Sequence, residues 1–255
     1  MGLSVRFDLG STLLARNLNT HFLGMKNPLE KLSSGLKINR ASDGPAVLVI
    51  SEQLRSQIAT LNQEIENTTA TIGKYETGSS YTGEMRSKLS ELRSLAVGAA
   101  NSGGNSESAQ QAYETTGQYI VSSYNDMLGS AEYNGMKLLD GSQQSLADIS
   151  ELEGIDLSTA ETAEQSIATI DAAIAELDSV QVNLGATQKN ELETHRASLQ
   201  VTAENLQAAE SVLRDTDYAK EYASFIGEMV KFQVSASLWA HSHIGAKTVL
   251  GLLST

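Results

Sequence analysis

The sequence has no cysteine, only two prolines and few aromatic residues, which make up 5% of its 255 residues. The absence of cysteine excludes disulfide scaffolds and cysteine-ligated zinc or iron–sulfur sites. No apolar run reaches the about 18 to 20 residues that a membrane-spanning helix needs. Residues 1–22 also lack the segments of a cleaved secretory signal. A core of Leu, Ile and Ala with so few rings and prolines predicts a helical protein.

Acidic residues outnumber basic ones and are concentrated in the middle of the chain. The formal net charge of −13 argues against nucleic acid as a partner, because nucleic-acid binding needs a basic surface. Residues 1–60 carry seven basic and four acidic groups, residues 61–219 carry eight and twenty-five, and residues 220–255 carry three and two. This distribution indicates a middle that faces water and apolar ends that are covered by a partner.

The clearest pattern is an apolar repeat of seven residues that starts at Leu54. Apolar residues, with one threonine among them, recur at alternating spacings of four and three up to Tyr75. Such a seam is typical of a long amphipathic helix. We expect this helix to begin near Ala46, since residues 43–45 form a turn that places a proline in the first helical turn.

Two further helices are predicted before residue 130. The first covers residues 83–100, and glycine, serine and asparagine at 101–106 then interrupt it. Ser106 or Asn105 can cap the next helix, which should end at about Leu128. Its inner face is predicted to carry Ala112, Tyr119, Ile120, Tyr124 and Met127.

Residues 132–157 break the helical pattern. Asn134-Gly135 and Asp140-Gly141 accept positive φ angles in tight turns, so a short hairpin is expected there. The acidic residues 142–157 are predicted to form further hairpin and loop.

The helical pattern returns at 158–161, where the sequence has the spacing of a capping box. The four–three repeat then runs to Leu184, and leucines recur every seven residues from Leu192 to Leu213. The step of eight from Leu184 to Leu192 predicts that the seam changes phase near Gly185 without ending the helix.

The two ends of the chain, residues 11–38 and 222–253, are rich in large apolar side chains. They are too apolar to be left in water and too interrupted by polar residues to span a membrane. They therefore need a partner, which is either the other end or a neighbouring copy.

The four histidines are weak candidates for a metal or catalytic site. His21 and His195 stand alone, and His241 and His243 would point about 200° apart on a helix. The sequence has no nucleophile elbow, phosphate-binding loop or carboxylate pair in an apolar setting. We expect no catalytic, cofactor-binding or metal-binding residues.

Residues 29–43, with the sequence LEKLSSGLKINRASD, closely resemble the amino-terminal motif of bacterial flagellins. The resemblance continues in family order to about residue 253. Its further motifs lie at 91–101, 132–141, 183–188, 213–221 and 249–253. Only about sixteen residues, 142–157, stand where variable outer domains are usually inserted, so the chain is similar to a minimal flagellin.

The resemblance implies an all-α fold of the flagellin core type, with long antiparallel helices in a coiled-coil-like rod and a small β-hairpin. It implies filament-core segments at 1–45 and 216–255 and a helical outer-tube domain at 46–215, with the hairpin near 132–157. The implied function is that of a structural subunit, not an enzyme, with no cofactor. The subunit would be secreted without cleavage and polymerise into the extracellular flagellar filament for motility.

The implied partners are copies of the same chain, a flagellar export chaperone on the C-terminal helix at about 213–255, and hook-associated and cap proteins. Nucleic acid and membrane are not expected partners. Assembly should bury terminal apolar side chains against neighbouring subunits. The candidates are Leu29, Leu32, Leu36, Phe225, Met229, Leu250 and Leu253.

Toll-like receptor 5 recognises many flagellins through the helix that carries the 91–101 motif. The resemblance places Arg93 and Leu95 at recognised positions. Glu91 stands where the recognised version has an arginine, and its reversed charge predicts weak or absent recognition.

The sequence departs from the family pattern at two places that bear on the fold. Pro28 lies where family members usually continue a helix, so a kink or a new helix start is expected. The segment 188–192 is one residue longer than usual. Three alternatives stay open: the hook–filament junction protein of the same family, a helical enzyme, and a cytoplasmic coiled-coil adaptor.

Overall fold

The structure is a computed structural model that describes the backbone of residues 2–101 and 103–253 and the side chains of residues 10, 12–101 and 103–242. Within these residues the predicted all-α class with a small β-hairpin is confirmed. The elements are α1 (Gly2–Ser34), α2 (Pro45–Ala99), α3 (Glu107–Ser130), β1 (Glu132–Tyr133), β2 (Met136–Lys137), α4 (Ala160–Thr187), a π-helical turn (Gln188–Leu192), α5 (Glu193–Arg214) and α6 (Tyr218–Leu253).

The chain divides into two compact units. Unit 1 comprises Met1–Thr60 and Ala203–Thr255, and unit 2 comprises Leu61–Thr202. The buried apolar side chains are concentrated in unit 2, which holds twenty of the twenty-two found among the described residues. Unit 2 therefore has a core of its own, whereas unit 1 has almost none.

The helix predicted from Ala46 is confirmed, and it begins at Pro45. The separate helix predicted over 83–100 is wrong, because α2 continues to Ala99 without a break. A glycine inside a helix costs only about 1 kcal/mol relative to alanine, which is too little to end a long helix. At Gly78 the glycine also makes room, since a Cβ there would lie 2.6 Å from Leu146 Cδ1.

Helix α3 begins and ends close to the predicted residues. The Ser106 side chain accepts a hydrogen bond from the Ala109 N–H and caps the helix. The predicted inner face is correct for Ile120 and Tyr124, which are buried, whereas Met127 is only partly buried and Ala112 and Tyr119 are exposed. The buried face follows the residues spaced three and four apart, namely Gly117, Ile120, Tyr124 and Leu128.

The predicted hairpin is confirmed at β1 and β2, where Glu132 pairs with Lys137 and Tyr133 with Met136. Asn134 and Gly135 form its turn with φ angles of 51° and 75°, as in the turn type that suits two-residue hairpins. The loop that follows shows a bridge between Asp140 and Asp148.

The loop at 149–157 contributes more to the core than its acidic sequence suggested. Its apolar side chains are buried, and its backbone is held by side chains of α3 and α4 rather than by a sheet. Asn125 Oδ1 accepts from Leu152 N–H at 2.9 Å, and Glu114 Oε2 accepts from Leu157 N–H at 2.6 Å. The buried residues are Ile149, Leu152, Ile155 and Leu157.

The capping box before α4 lies one residue later than predicted. Thr159 is the N-cap, and its hydroxyl accepts from Thr162 N–H, while the Thr162 side chain bonds back to the Thr159 backbone. Ser158 cannot take this role in the structure because its own N–H is already bonded to the Asp156 carboxylate, at 2.8 Å.

The predicted phase change near Gly185 is confirmed by the π-helical turn at Gln188–Leu192. A π-turn accommodates one residue more than an α-turn and leaves the helices on either side in phase. The extra residue that makes the step from Leu184 to Leu192 eight instead of seven is thereby absorbed locally.

Deletion of Asn190, which is exposed in the π-turn, should convert the turn to regular α-helix and leave the leucine stripe continuous. We expect the thermal unfolding midpoint to stay the same or rise, because the π-turn's weaker hydrogen-bond geometry is removed. Deletion of the exposed Asn183 of α4 is the matched control, since it rotates the residues that follow by about 100°. Equal loss of stability in both variants, measured by circular dichroism, would contradict the assignment.

Candidate functional site

Helices α1 and α6 pair lengthwise in unit 1. Lys31 contacts Glu221, His21 contacts Glu228, and the ring centroids of Phe22 and Phe232 lie 6.2 Å apart. Residue numbers fall along α1 as they rise along α6, so the pair is antiparallel. The helix start expected at Pro28 is not found, because α1 runs through this proline to Ser34.

The contact face of each helix has the heptad spacing of a coiled coil. Buried and half-buried residues alternate at four and three along both helices. On α1 they are Leu14, Leu18, His21, Met25, Pro28 and Leu32. On α6 they are Glu221, Phe225, Glu228, Phe232 and Ser235. Sequence reasoning found the apolar ends but missed this seam, because histidine and glutamate occupy several of its positions.

Polar contacts lie inside the seam. His21 Nδ1 is 2.9 Å from Glu228 Oε2, and Lys231 Nζ donates to Glu228 Oε1 at 2.7 Å. The hydrogen bond from Lys231, and then that from His21, hold the pKa of Glu228 below its usual range. A second contact joins Lys31 Nζ to Glu221 Oε1 at 3.2 Å.

Backbone hydrogen bonds join the segment that follows α1 to the end of α5 and to the turn before α6. Lys37 N–H donates to Arg214 O at 2.7 Å, and Thr216 N–H donates to Gly35 O at 2.9 Å. Gly35 has a φ of 74°, and a Cβ there would lie 2.8 Å from the Tyr218 hydroxyl, so glycine is required. These bonds fix where the two helices start to run side by side.

Arg214 also binds the first turns of α2. Its Nη1 donates to Glu52 Oε1 at 2.7 Å, and this bond is the main cause that holds the pKa of Glu52 below its usual range. Polar contacts in unit 1 therefore join α1 to α6 and α5 to α2.

The exposed surface of unit 1 carries many large apolar side chains. Among the described residues, thirteen of the seventeen exposed large apolar side chains belong to unit 1. They are Leu13, Phe22, Leu23, Leu29, Val49, Ile50, Val212, Tyr218, Tyr222, Val230, Val234, Leu238 and Trp239. So much exposed apolar surface on one unit marks an interaction site, and we call these residues the outer apolar surface.

The structure brings some of the predicted assembly residues together. Leu29 is 54% exposed on α1. Leu32 and Phe225 lie in the seam, and Leu36 and Met229 are also half-buried. The side chains of Leu250 and Leu253 lie outside the described residues.

The predicted receptor contacts lie on α2 in unit 2. Arg93 is exposed but bound to Asp171 of α4, with Nε–Oδ1 at 2.5 Å and Nη2–Oδ2 at 3.2 Å. This pair raises the pKa of Arg93 and lowers that of Asp171. Glu91 is exposed and lies 3.2 Å from Lys88 Nζ, and Leu95 packs against the core of unit 2.

Within the described residues, no group of three or more His, Asp or Glu side chains could hold a metal ion. In the part of the chain that the structure describes, no helix combines the length and the apolar character that crossing a membrane requires.

Asp171→Asn should lower the free energy of unfolding at neutral pH and weaken its dependence on acid. Because the native pKa of Asp171 is lowered, its contribution is present above about pH 4, the ordinary range of an Asp carboxyl, and is lost as pH falls through the lowered value. Urea unfolding from pH 7 to pH 2 measures this. If the free energy of unfolding of Asp171→Asn fell with pH as steeply as that of the unaltered protein, the result would contradict the ion pair.

Part of the acid dependence should remain in Asp171→Asn, because other carboxyl groups also have lowered pKa values. They are Asp43, Glu52, Asp140, Asp156, Glu193 and Glu228. Glu164→Gln, which removes an exposed carboxyl from the same helix α4, is the control and should leave the slope close to that of the unaltered protein.

The chain matches two family profiles. The bacterial flagellin N-terminal helical region matches residues 10–144, and the bacterial flagellin C-terminal helical region matches residues 167–253. Flagellin FlaB1 of Treponema pallidum is 28% identical over 98% of this chain and 99% of its own length. A flagellin of Halalkalibacterium halodurans is 33% identical over 93% of this chain and 95% of its own length.

A solved structure, that of Bacillus cereus flagellin, aligns with 57% of this chain and 94% of its own chain, with 23% identity and a TM-score of 0.45. The profiles and the two relatives do not favour the hook–filament junction protein, and the family is structural rather than enzymatic. The chain belongs to the bacterial flagellin family, whose members are structural subunits of the flagellar filament outside the cell.

Proposed function

We propose that this chain polymerises into the flagellar filament by burying the outer apolar surface against neighbouring copies. The observation that carries the proposal is the concentration of exposed apolar side chains on unit 1, which has almost no core of its own. Helices α1 and α6 cover one face of each other, and their remaining faces still expose large apolar side chains such as Leu23 and Val230.

The energy available from this burial is sufficient to hold a subunit in a lattice. At about 25 cal/mol per Å², burying one Leu or Phe side chain contributes roughly 1.5 to 3 kcal/mol. Several such side chains on each subunit offset the entropy that is lost when the chain ends are ordered and docked.

The charge distribution supports a filament in which unit 2 faces water. Unit 2 carries seven basic and twenty-one acidic residues, a net charge of −14, while unit 1 has a net charge of +1. Neighbouring acidic units repel each other, and at 0.1 M salt this repulsion is largely screened beyond about 10 Å. Salt should therefore promote polymerisation.

The direct test of the function is negative-stain electron microscopy of the purified protein before and after addition of ammonium sulfate, which strengthens apolar burial. Long filaments of uniform width support the proposal. Monomers or short capped oligomers at every salt concentration would count against polymerisation by this chain alone.

The division into filament-core segments at 1–45 and 216–255 and an outer-tube domain at 46–215 stays part of this proposal. We extend it to the other partners that the family resemblance implies, namely an export chaperone on about residues 213–255 and the hook-associated and cap proteins. The apolar faces of α6 support the chaperone, since they need cover before assembly.

Leu29→Asp should raise the critical concentration for polymerisation roughly ten- to hundredfold, because it removes about 1.5 to 3 kcal/mol of burial per contact. Leu29 is exposed in the isolated chain, so the soluble chain should keep its helix content. Sedimentation of filaments at a series of protein concentrations measures the effect.

Asn19→Asp is the matched control for Leu29→Asp, since it adds the same charge to an exposed site on α1 without removing apolar area. It should polymerise almost as well as the unaltered chain.

Leu250→Asp combined with Leu253→Asp should leave soluble monomers. Normal filaments from Leu29→Asp or from this double variant would refute the proposed burial.

Recognition by Toll-like receptor 5 is proposed to be weak or absent. Glu91 presents a negative charge at the surface, and Arg93 is already paired with Asp171. Both features oppose the attraction of a partner that favours positive charge at these sites.

Glu91→Arg should increase the response of receptor-bearing cells to purified monomer, because it reverses the unfavourable charge. Glu84→Arg, which makes the same change at an exposed position two turns earlier on α2, serves as the control and should have little effect. A strong response to the unaltered monomer, equal to that of Glu91→Arg, would contradict the proposal.

A further inference from the structure

A repeating apolar seam does not by itself fix how two helices are aligned. Because the side chains of the contact face recur every seven residues, α6 can slide by one heptad along α1 and still place apolar side chains in the seam. Each slide would move the outer apolar surface of α6 by about 10 Å relative to that of α1. The surface that a neighbouring copy meets therefore depends on the alignment.

The seam has a space at Gly24 that is filled by the side chain of Glu228. A Cβ at Gly24 would lie 3.0 Å from Glu228 Oε2 and 3.3 Å from Glu228 Cδ, so the missing side chain makes room for the carboxylate. His21, one turn earlier on α1, contacts the same oxygen at 2.9 Å. Lys231 holds the other carboxylate oxygen from α6. The Glu228 side chain is thus contacted from both helices and is only 23% exposed.

The second acid–base contact makes the alignment unique. Glu221 and Glu228 are seven residues apart on α6, whereas their partners Lys31 and His21 are ten apart on α1. If α6 slid by one heptad so that Glu228 lay beside Lys31, Glu221 would lie beyond Ser34, where α1 ends. If α6 slid by one heptad in the other direction, so that Glu221 lay beside His21, Glu228 would lie beside Leu14. Each slide leaves one glutamate without a base in the seam.

We propose that Glu228, seated between His21 and Gly24, together with the Lys31–Glu221 contact fixes the register of α1 against α6 and so determines which surface the subunit presents for assembly. The inference rests on the proposed function. These are positioning residues, since they act through the placement of the outer apolar surface. Polar residues in such seams specify alignment while contributing less stability than apolar ones.

Introduced cysteine pairs can read the register, because the chain has no cysteine of its own. Phe22→Cys with Phe232→Cys reports the observed alignment, in which these side chains are neighbours. Leu29→Cys or Ala15→Cys with Phe232→Cys reports a slide of one heptad in either direction. Disulfide formation is quantified by mass spectrometry on both the soluble chain and the filaments.

The informative variant is His21→Leu combined with Glu228→Leu, made in each cysteine background. It keeps the seam apolar, so the pair should unfold at the same or a higher temperature. We expect the ratio of slid to native crosslinks to rise by about tenfold, the change that couplings between contacting residues produce. If His21 and Glu228 only stabilised the helix pair, the double leucine variant would unfold at a lower temperature and its ratio of slid to native crosslinks would be unchanged.

Two controls accompany this variant. His241→Leu makes the same change at an exposed position of α6 and should leave the crosslink ratio unchanged. His21→Lys keeps a nitrogen donor beside Glu228 and should retain the native crosslink.

An unchanged crosslink ratio in the double leucine variant would overturn the inference, and so would the absence of the native crosslink from the cysteine pair without the leucine changes. A native crosslink in a chain that forms no filaments under any condition would instead count against the proposed function and leave the register inference standing.

Discussion

A pair of antiparallel helices can cover only one face of each helix, and this geometric limit shapes the whole of unit 1. In α1 and α6 the contact faces carry a heptad seam, and the opposite faces carry exposed apolar side chains such as Leu23 and Val230. Burial of these faces is favourable, but none of the side chains of unit 1 that the structure describes covers them. Under the proposed function the unit is completed by contacts with neighbouring copies, as expected for a subunit whose ends are ordered on assembly.

Unit 2 is under the opposite constraint. Its core includes Leu89, Leu92 and Leu157, all fully buried, and the loop at 149–157 closes that core through hydrogen bonds to side chains of α3. Its surface is strongly acidic. A unit with a complete core and a large net negative charge resists non-specific association. Under the proposed function, specific association is left to unit 1, so that folding stability and polymerisation depend on different units.

The helices, the hairpin and the phase change near Gly185 could be predicted because each depends on local sequence: heptad spacing, the Asn134-Gly135 turn and a step of eight between leucines. The continuity of α2 could not, because the cost of Gly83 is small and the contacts that offset it come from elsewhere in the chain. The burial of Leu152 and Leu157 was missed for a similar reason, since their backbone partners lie on α3. The seam of unit 1 escaped apolar pattern analysis because Glu228 and His21 occupy it.

The polar residues of that seam are best understood from the competition between stability and uniqueness. An apolar replacement for Glu228 or Lys31 would remove the cost of desolvating charge and could hold the two helices together at least as well. It would not distinguish between alignments that differ by one heptad. For an isolated pair of helices this ambiguity would matter little. For a subunit that must repeat one contact surface along a helical lattice, two alignments would give two surfaces, and a mixture could not propagate one lattice. Half-buried charges in the seam are thus consistent with selection for a single surface rather than for the most stable pair.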